Sequence, residues 1–231
     1  NLNGAQAIPK SYYSGLDAIE DSTVISIKLD EVMRVAAIES SGSIPNGGDG
    51  TQMVLDFDGA AFHDIAQNDN YLSNGITLTE IPDTTPPFVV QSGCSVNYTT
   101  GILLITGSEK LDLTPITNVD LGKFNLGETS TSSTANIDTI VLTGATATAT
   151  DSVTLTIQLT EAQRVLGIQM SNTLGGDGDP TELRVLTGAV IDIAQVGCLQ
   201  NISGIPLIET PDTQHPTILN GTINFGTGVL T

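Results

Sequence analysis

Apolar and polar residues alternate with a period of two through much of the chain, which is the pattern of half-buried β-strands. Val, Ile and Thr fill these runs, and Gly, Asn and Asp separate them, as strands and turns require. The pattern predicts strands over residues 88–98, 102–107, 137–144, 152–159, 181–187 and 204–208. Short strands with almost no helix predict an all-β fold.

Two segments, residues 31–38 and 161–168, have helical spacing instead and share the pattern E-x-x-R-V-x-x-I. In each segment a glutamate stands three residues before an arginine. Such a pair can interact on the surface of a helix. We therefore expect two short helices, each with its own Glu–Arg ion pair.

The chain contains an internal repeat. Residues 21–38 match residues 151–168, which lie 130 positions later. Three shorter blocks recur in the same order at offsets of 128 or 129: GGDG at 47–50 and 175–178, DIAQ at 64–67 and 192–195, and PDT at 82–84 and 211–213. Four blocks at nearly one spacing indicate two copies of one structural unit.

A proline-containing linker precedes an apolar hairpin at two places, after residues 84–87 and after residues 214–216. In both, an apolar run reaches a T-G turn and a second apolar run follows, which predicts a β-hairpin. The repeat then divides the chain into three parts. Residues 1–86 form an incomplete unit without its first strands, residues 87–215 form a complete unit, and residues 216–231 form the first hairpin of a further unit.

The order of these motifs resembles tandem Ig-like repeats of large secreted and surface proteins of bacteria, algae and other protists. It runs from a D-T-x-x-P linker through a strand–T-G–strand hairpin and a D-S-x-x-x-T-I-x-L-x-E-A segment to G-A-V-x-D-I-A. The resemblance covers nearly the whole chain. It implies antiparallel Ig-like β-sandwiches and an extracellular, filamentous or adhesive role, including that of a glycosylated fibril protomer.

Charge restricts the partners of the protein. The chain has 26 acidic and 7 basic residues and a net charge of −19. Seven scattered cations cannot form the basic patch that nucleic acid or an anionic membrane surface requires. The chain contains no run of 18 apolar residues, so the sequence predicts no membrane-spanning segment. Only 14% of residues are charged while 39% are hydrophobic, and with Thr and Ser as polar filler this composition indicates an extracellular protein.

Three N-x-S/T sequons, at Asn97, Asn201 and Asn220, predict N-linked glycans if the source is eukaryotic. We take Asn97 and Asn220 to lie at equivalent places in the two hairpins. The Ser/Thr-rich residues 128–135 and the linker 84–87 suit O-linked sugars, or else an ordinary loop and a rigid spacer.

The two cysteines, Cys94 and Cys198, both fall in the complete unit. In an oxidising environment they would form a disulfide that ties the first strand of the unit to its last loop. The alternative is a pair of separate buried thiols.

No motif indicates catalysis or a cofactor. His63 and His215 are not in an H-x-x-x-H pair, and neither a G-x-S-x-G elbow nor a P-loop is present. Acids in the GGDG turns and linkers could bind Ca²⁺, but none has the D-x-D-x-D-G spacing, so a turn role is favoured and Ca²⁺ is unlikely. We therefore predict a protein that is not an enzyme and has no metal site.

The two ends of the chain are complementary. A unit without its first strand exposes unpaired strand edges, and residues 216–231 are a strand of the missing kind. Their apolar side chains Leu219, Ile223 and Phe225 would enter the incomplete unit of the next copy. This predicts an extracellular (glyco)protein filament, a head-to-tail homopolymer joined by β-strand donation.

Two other interpretations stay open. The sequence could be a window from a longer tandem array, in which residues 1–86 pair with upstream sequence. The alternative function is a surface adhesin or carbohydrate-binding module made of tandem Ig-like repeats, although a chain without Trp and with nine Phe and Tyr offers few rings for sugar stacking.

Overall fold

The computed structural model of the chain describes residues 13–16 (backbone only), 23–128, 139–217 and 219–231. Short strands in several sheets dominate these residues, and two nine-residue helices interrupt them. The prediction of an all-β fold is confirmed at this level, while the Ig-like arrangement stays a prediction. Neither helix in these ranges has the length and apolar character needed to cross a bilayer.

The first copy of the repeat, which we call unit 1, is the described chain up to residue 86. Its elements are β1 (Tyr13–Leu16), β2 (Ile27–Leu29), α1 (Glu31–Glu39), β3 (Val54–Phe57) and β4 (Ser73–Thr77). β1 pairs with β2 and β3 with β4, both antiparallel. Unit 1 therefore consists of two separate two-stranded sheets and one helix.

The second copy, unit 2, comprises residues 87–215 and builds two larger sheets. Its elements are β5 (Ser95–Asn97), β6 (Ile102–Asp112), β7 (Phe124–Glu128), β8 (Ile140–Val141), β9 (Thr146–Ala147), β10 (Ser152–Gln158), α2 (Glu161–Gln169), β11 (Thr181–Val185), β12 (Ile191–Asp192), β13 (Asn201–Pro206) and β14 (Ile208–Thr210). One sheet has the order β14-β5-β6-β10-β9, with β12 also on β6, and the other has the order β13-β11-β7-β8. All pairs are antiparallel except β14 with β5.

The hydrophobic core lies in unit 2, where apolar residues of both sheets form one cluster. Leu103 and Ile157 come from the first sheet, and Leu126, Leu183 and Ile205 come from the second; none of the five is exposed to solvent. Residues 216–231, which we call the tail, form the separate hairpin β15 (Ile223–Asn224) and β16 (Val229–Leu230).

The sequence repeat is also a structural repeat. In unit 1, Leu55 of β3 is opposite Ile76 of β4. In unit 2 their counterparts Leu183 of β11 and Ile205 of β13 are opposite each other. Both predicted helices are confirmed, since α1 and α2 begin at equivalent glutamates and have equal length.

The predicted strand over residues 88–98 is wrong as one continuous element. A 3-10 turn at Gln91–Gly93 interrupts it, so that Ser95–Asn97 pair with β6 as a strand while Val89 forms an isolated bridge to Gly107 farther along β6. A Cβ on Gly93 would lie 2.5 Å from Thr106, so glycine lets the chain bend there against β6. β7 was not predicted, because K-F-N-L-G has little of the β-branched alternation expected of a strand.

Candidate functional site

The first hairpin of unit 2 is anchored by an arginine of α2. Arg164 binds the carboxylate of Glu161 through Nε and Nη2, at 2.8 and 2.7 Å, which confirms the predicted ion pair. Its Nη1 donates to Asp212 of the following linker at 2.6 Å and to the carbonyl of Tyr98 at 2.8 Å. Hydrogen bonds from the Gln214 backbone and from Arg164 lower the pKa of Asp212. One guanidinium thus joins the helix, the linker and the hairpin.

The side chain of Tyr98 fills the space below α2 and is fully buried. Its hydroxyl is 2.8 Å from Oγ1 of Thr181 and donates to Oε1 of Glu209 at 3.1 Å. Burial raises the pKa of this hydroxyl, so it stays a donor. A Cβ on Gly167 would lie 3.0 Å from the Tyr98 ring, which explains a glycine in the middle of α2.

Unit 1 repeats the arginine anchor. Arg34 binds Glu31 through Nε and Nη2, at 2.7 and 2.9 Å, and its Nη1 donates to Asp83 of the linker. Asp83 and Asp212 are counterparts in the repeat. In unit 2 the guanidinium also holds the Tyr98 carbonyl; in unit 1 Arg34 Nη2 instead donates to Glu109 of β6 at 2.6 Å.

An open groove of about 240 Å³ lies in unit 1 below α1, at the place that Tyr98 occupies in unit 2. Its walls include Leu29, Ala37, Ile38, Met53, Leu78 and Glu80. Ala37 replaces Gly167 and Met53 replaces Thr181. We call this the acceptor groove.

Glu80 in the acceptor groove keeps two of the three hydrogen bonds of its counterpart. Its carboxylate accepts the backbone N–H groups of Met53 at 2.7 Å and Gly42 at 2.9 Å. Glu209 accepts the equivalent N–H groups and, in addition, the hydroxyl of Tyr98. The carboxylate that lines the groove is therefore held as in unit 2 without the residue that occupies that place there, while Ala37 adds a methyl group where Gly167 leaves room for the Tyr98 ring.

Two strand edges of unit 1 face the acceptor groove. In unit 2, β10 lies between β9 and β6, whereas within the part of the chain that the structure describes its counterpart β2 pairs with β1 alone. β14 pairs with β5. The matching residues 79–81 of unit 1 make no backbone–backbone hydrogen bond to any described residue. A hairpin equivalent to β5–β6 would complete both edges.

Apolar side chains of unit 1 are exposed where their counterparts are buried. Ile25, Ile27 and Ile76 each have 40–43% of their surface exposed. None of their counterparts in unit 2 is exposed: these are Leu155, Ile157 and Ile205. The two units share the same apolar positions, so the difference comes from the missing cover.

The tail matches the hairpin that fills unit 2. Residues 222–231 align with residues 95–104 without a gap, which places Phe225 at the position of Tyr98 and Ile223 at that of Val96. The registers agree, because Ile223 pairs with Leu230 as Val96 pairs with Leu103.

The turns of the two hairpins have the same geometry. Gly101 and Gly228 both have positive φ, at 71° and 72°, and each donates its N–H to the carbonyl of an asparagine at 2.7 Å. The side-chain oxygens of these asparagines, Asn97 and Asn224, accept backbone N–H groups within the turn. The tail is thus the same supersecondary unit as β5–β6.

The three predicted donor residues differ in position. Ile223 and Phe225 are 48% and 88% exposed, although their counterparts in unit 2 are buried. Leu219 is also exposed but precedes the gapless match, so it has no buried counterpart in that alignment.

The predicted glycosylation sites lie in different environments. Asn220 is exposed, whereas Asn97 and Asn201 are half-buried at the end of β5 and the start of β13. The register corrects one detail, because the counterpart of Asn97 is Asn224 and not Asn220.

Glycosylation itself stays a prediction. Most of the Ser/Thr-rich stretch 128–135 lies outside the described residues.

The predicted disulfide is absent from the structure, in which Cys94 and Cys198 are free and buried. Cys94 lies near the carbonyl of Val90 at 3.6 Å, and Cys198 lies near that of Leu186 at 3.8 Å. Both belong to the core cluster as small apolar side chains. The alternative of separate buried thiols describes them.

The residues that line the groove were not predicted, although a signal for them is present in the sequence. Glu80 and Glu209 both occur as E-x-P-D, directly before the linker, which marks the groove wall in each unit. Met53 and Thr181 follow the GGDG turns by three residues.

No family model matches the chain, and neither the curated proteins nor the solved structures contain a significant match. The function proposed below therefore rests on the differences between unit 1 and unit 2.

Proposed function

We propose that this protein is a structural subunit of an extracellular filament, in which the tail of one copy fills the acceptor groove of the next. One observation carries the proposal: the hairpin that occupies unit 2 has an exposed copy in the tail, and unit 1 has the matching open site. On this proposal both units become Ig-like domains, one complete within the chain and one completed by a neighbour.

Unit 2 supplies the register of the donated hairpin. There Tyr98 donates its N–H to the carbonyl of Thr210 at 2.9 Å, and Ile208 donates to that of Cys94 at 3.1 Å. The equivalent bonds run from Phe225 of the donor to Ile81 of the acceptor, and from Thr79 of the acceptor to Gly221 of the donor. β15 would then lie parallel to residues 79–81.

The second strand of the tail would complete the other edge. In unit 2, β6 lies antiparallel to β10, with Leu103 opposite Ile157 and Ile102 opposite Gln158. By the same register, Leu230 of the donor would be opposite Ile27 of the acceptor and Val229 opposite Lys28. The exposed face of Ile27 would be covered by this pairing.

The side chains at the centre of the groove differ in a compensating way. Unit 2 pairs a tyrosine with the hydroxyl of Thr181; unit 1 offers the thioether of Met53, and the tail offers Phe225. A phenylalanine has no hydroxyl to leave unpaired, and methionine provides extra apolar volume and contacts aromatic rings well. Both halves of the polar pair are thus replaced together.

The energy and symmetry of this contact suit a polymer. Full burial of Phe225 and Ile223 contributes about 1.5–3 kcal/mol each, in addition to backbone pairing at two edges. Donor and acceptor surfaces are different parts of the chain, so the contact is heterologous and propagates from copy to copy. A charge of −19 on each copy disfavours unspecific lateral association.

Negative-stain electron microscopy with sedimentation velocity of the purified chain tests this function. Filaments are expected from the unmodified chain, and Phe225→Asp should leave monomers, because a carboxylate would be buried in the groove. Leu174→Asp is the matched control: Leu174 is 97% exposed and lies outside both groove and tail, so filaments should persist. Equal assembly of both variants would reject donation. Monomers from the unmodified chain that bind glycans would favour the adhesin alternative.

A further inference from the structure

Three carboxylates meet where the linker after unit 1 lies against unit 2. Asp83 comes from the linker, Glu109 from β6 and Asp192 from β12. One oxygen of each lies within 4.8 Å of one oxygen of the other two. All three are shielded from solvent, and Asp192 is only 1% exposed.

Negative charge exceeds positive charge at this place. Arg34 is the cation that contacts it, and its guanidinium binds Asp83 and Glu109 while also holding Glu31. Lys110 is next to Glu109 in sequence, but its ammonium group lies 3.9 Å from Glu39. Burial raises the pKa of both Glu109 and Asp192, because removal from water disfavours the charged carboxylate.

Asp192 supplies an independent sign that a ligand is required. Its Oδ1 accepts the N–H of Val196 at 2.8 Å, but its Oδ2 is buried and has no hydrogen-bond partner among the residues that the structure describes. A buried carboxylate oxygen without a partner is rare and calls for a physical explanation.

Unit 1 contains the same loop with its aspartate satisfied. Asp64, the counterpart of Asp192, is exposed, accepts the N–H of Asn68 at 2.9 Å, and accepts its amide Nδ2 at 3.0 Å. In unit 2 valine replaces this asparagine, which removes the amide donor and leaves Oδ2 of Asp192 without a hydrogen-bond partner among the described residues.

We propose that Asp83, Glu109 and Asp192 form a binding site for a divalent cation, of which Ca²⁺ fits best. Carboxylate oxygens are its usual ligands, and Ca–O distances of about 2.3–2.6 Å allow opposite ligands to be about 5 Å apart, more than Mg²⁺ allows. Water completes the coordination. Arg34 beside the site weakens binding, so a dissociation constant of about 0.1–1 mM is expected, as in extracellular modules.

The bound cation would fix the linker to unit 2. Asp83 is held from unit 1 by Arg34, whereas Glu109 and Asp192 belong to two paired strands, β6 and β12. The site lies within one chain and does not depend on the proposed strand donation. Its failure and that of the filament proposal can therefore be told apart.

Isothermal titration of CaCl₂ into the EDTA-treated full chain tests the site, with a thermal melt in parallel. One saturable event and a higher melting temperature are expected, with a smaller response to MgCl₂. Asp192→Asn should remove both effects, whereas Asp64→Asn, the same change in the sister loop, should leave them unchanged.

Circular dichroism of Asp192→Asn without Ca²⁺ controls for folding, since the amide is nearly isosteric with the carboxylate. An unmodified chain without saturable Ca²⁺ binding would overturn the proposal, because burial of a neutral Asp192 carboxyl would then explain the unpaired oxygen. Equal loss of binding in both variants would overturn it as well, since diffuse acidic attraction would then account for the heat.

Discussion

Unit 1 and unit 2 have the same helix, the same arginine anchor and the same loops, yet only unit 2 has a closed core. The difference is localised: unit 2 contains β5, β6 and β7, and among the described residues unit 1 has no counterpart of them. Arg34 and Glu80 keep the bonds of Arg164 and Glu209, apart from those made to the hairpin. Local structure in this repeat therefore forms without the hairpin, and the hairpin decides which apolar side chains are buried.

The comparison also bears on how easily unit 1 could bind a donor strand. The open groove of unit 1 is already shaped by backbone and side-chain bonds that do not involve a donor strand. A preformed acceptor loses little conformational entropy on binding. The turn of the tail is also preformed, since Thr227 and Gly228 donate to Asn224 as Thr100 and Gly101 donate to Asn97.

The largest expected effect on the stability of the single chain is at Tyr98. Tyr98→Ala should lower the free energy of unfolding by about 3–5 kcal/mol, because it opens a cavity and leaves Thr181 and Glu209 without their partner. Phe225→Ala, the same truncation at the equivalent tail position, should change it by less than about 0.5 kcal/mol. Urea unfolding of dilute protomer measures both values. Similar losses at the two positions would show that the tail is already packed within its own chain.

A smaller effect is expected from exchanging the central pair of the groove. If the tail fills the groove as proposed, Met53→Thr would leave a cavity and a hydroxyl facing Phe225, and Phe225→Tyr would direct a hydroxyl against Met53. The double variant restores the Tyr–Thr pair of unit 2. A double-mutant cycle on the critical concentration for assembly should give a favourable coupling of about 1–2 kcal/mol. Additive single effects would show that the two side chains do not meet.

The sequence predicted what depends on local pattern and on the repeat. Residue spacing in the sequence was enough to predict the helices at residues 31–38 and 161–168, their Glu–Arg pairs and both hairpins. The strand over residues 88–98 failed because the bend at Gly93 depends on a contact with Thr106, which lies in another strand.

Other features depend on which residues meet across the fold. Asp83, Glu109 and Asp192 lie far apart in the sequence, so no spacing motif predicts that they form a cluster. The acceptor groove was predicted only as a missing strand, because the difference between Thr181 and Met53 gains meaning only when Tyr98 is seen to contact Thr181 in unit 2. The disulfide between Cys94 and Cys198 was predicted from an assumed oxidising compartment, whereas both thiols are free in the structure.

The most direct test of the central claim is to identify what Phe225 contacts in the assembled protein. A diazirine-bearing phenylalanine at position 225 is irradiated in a mixture of isotope-labelled and unlabelled chains, and mass spectrometry maps the cross-links. Strand donation predicts cross-links between different copies, to peptides that contain Ala37, Ile38 or Met53. Cross-links within one chain, or to residues of another copy outside the acceptor groove, would contradict it.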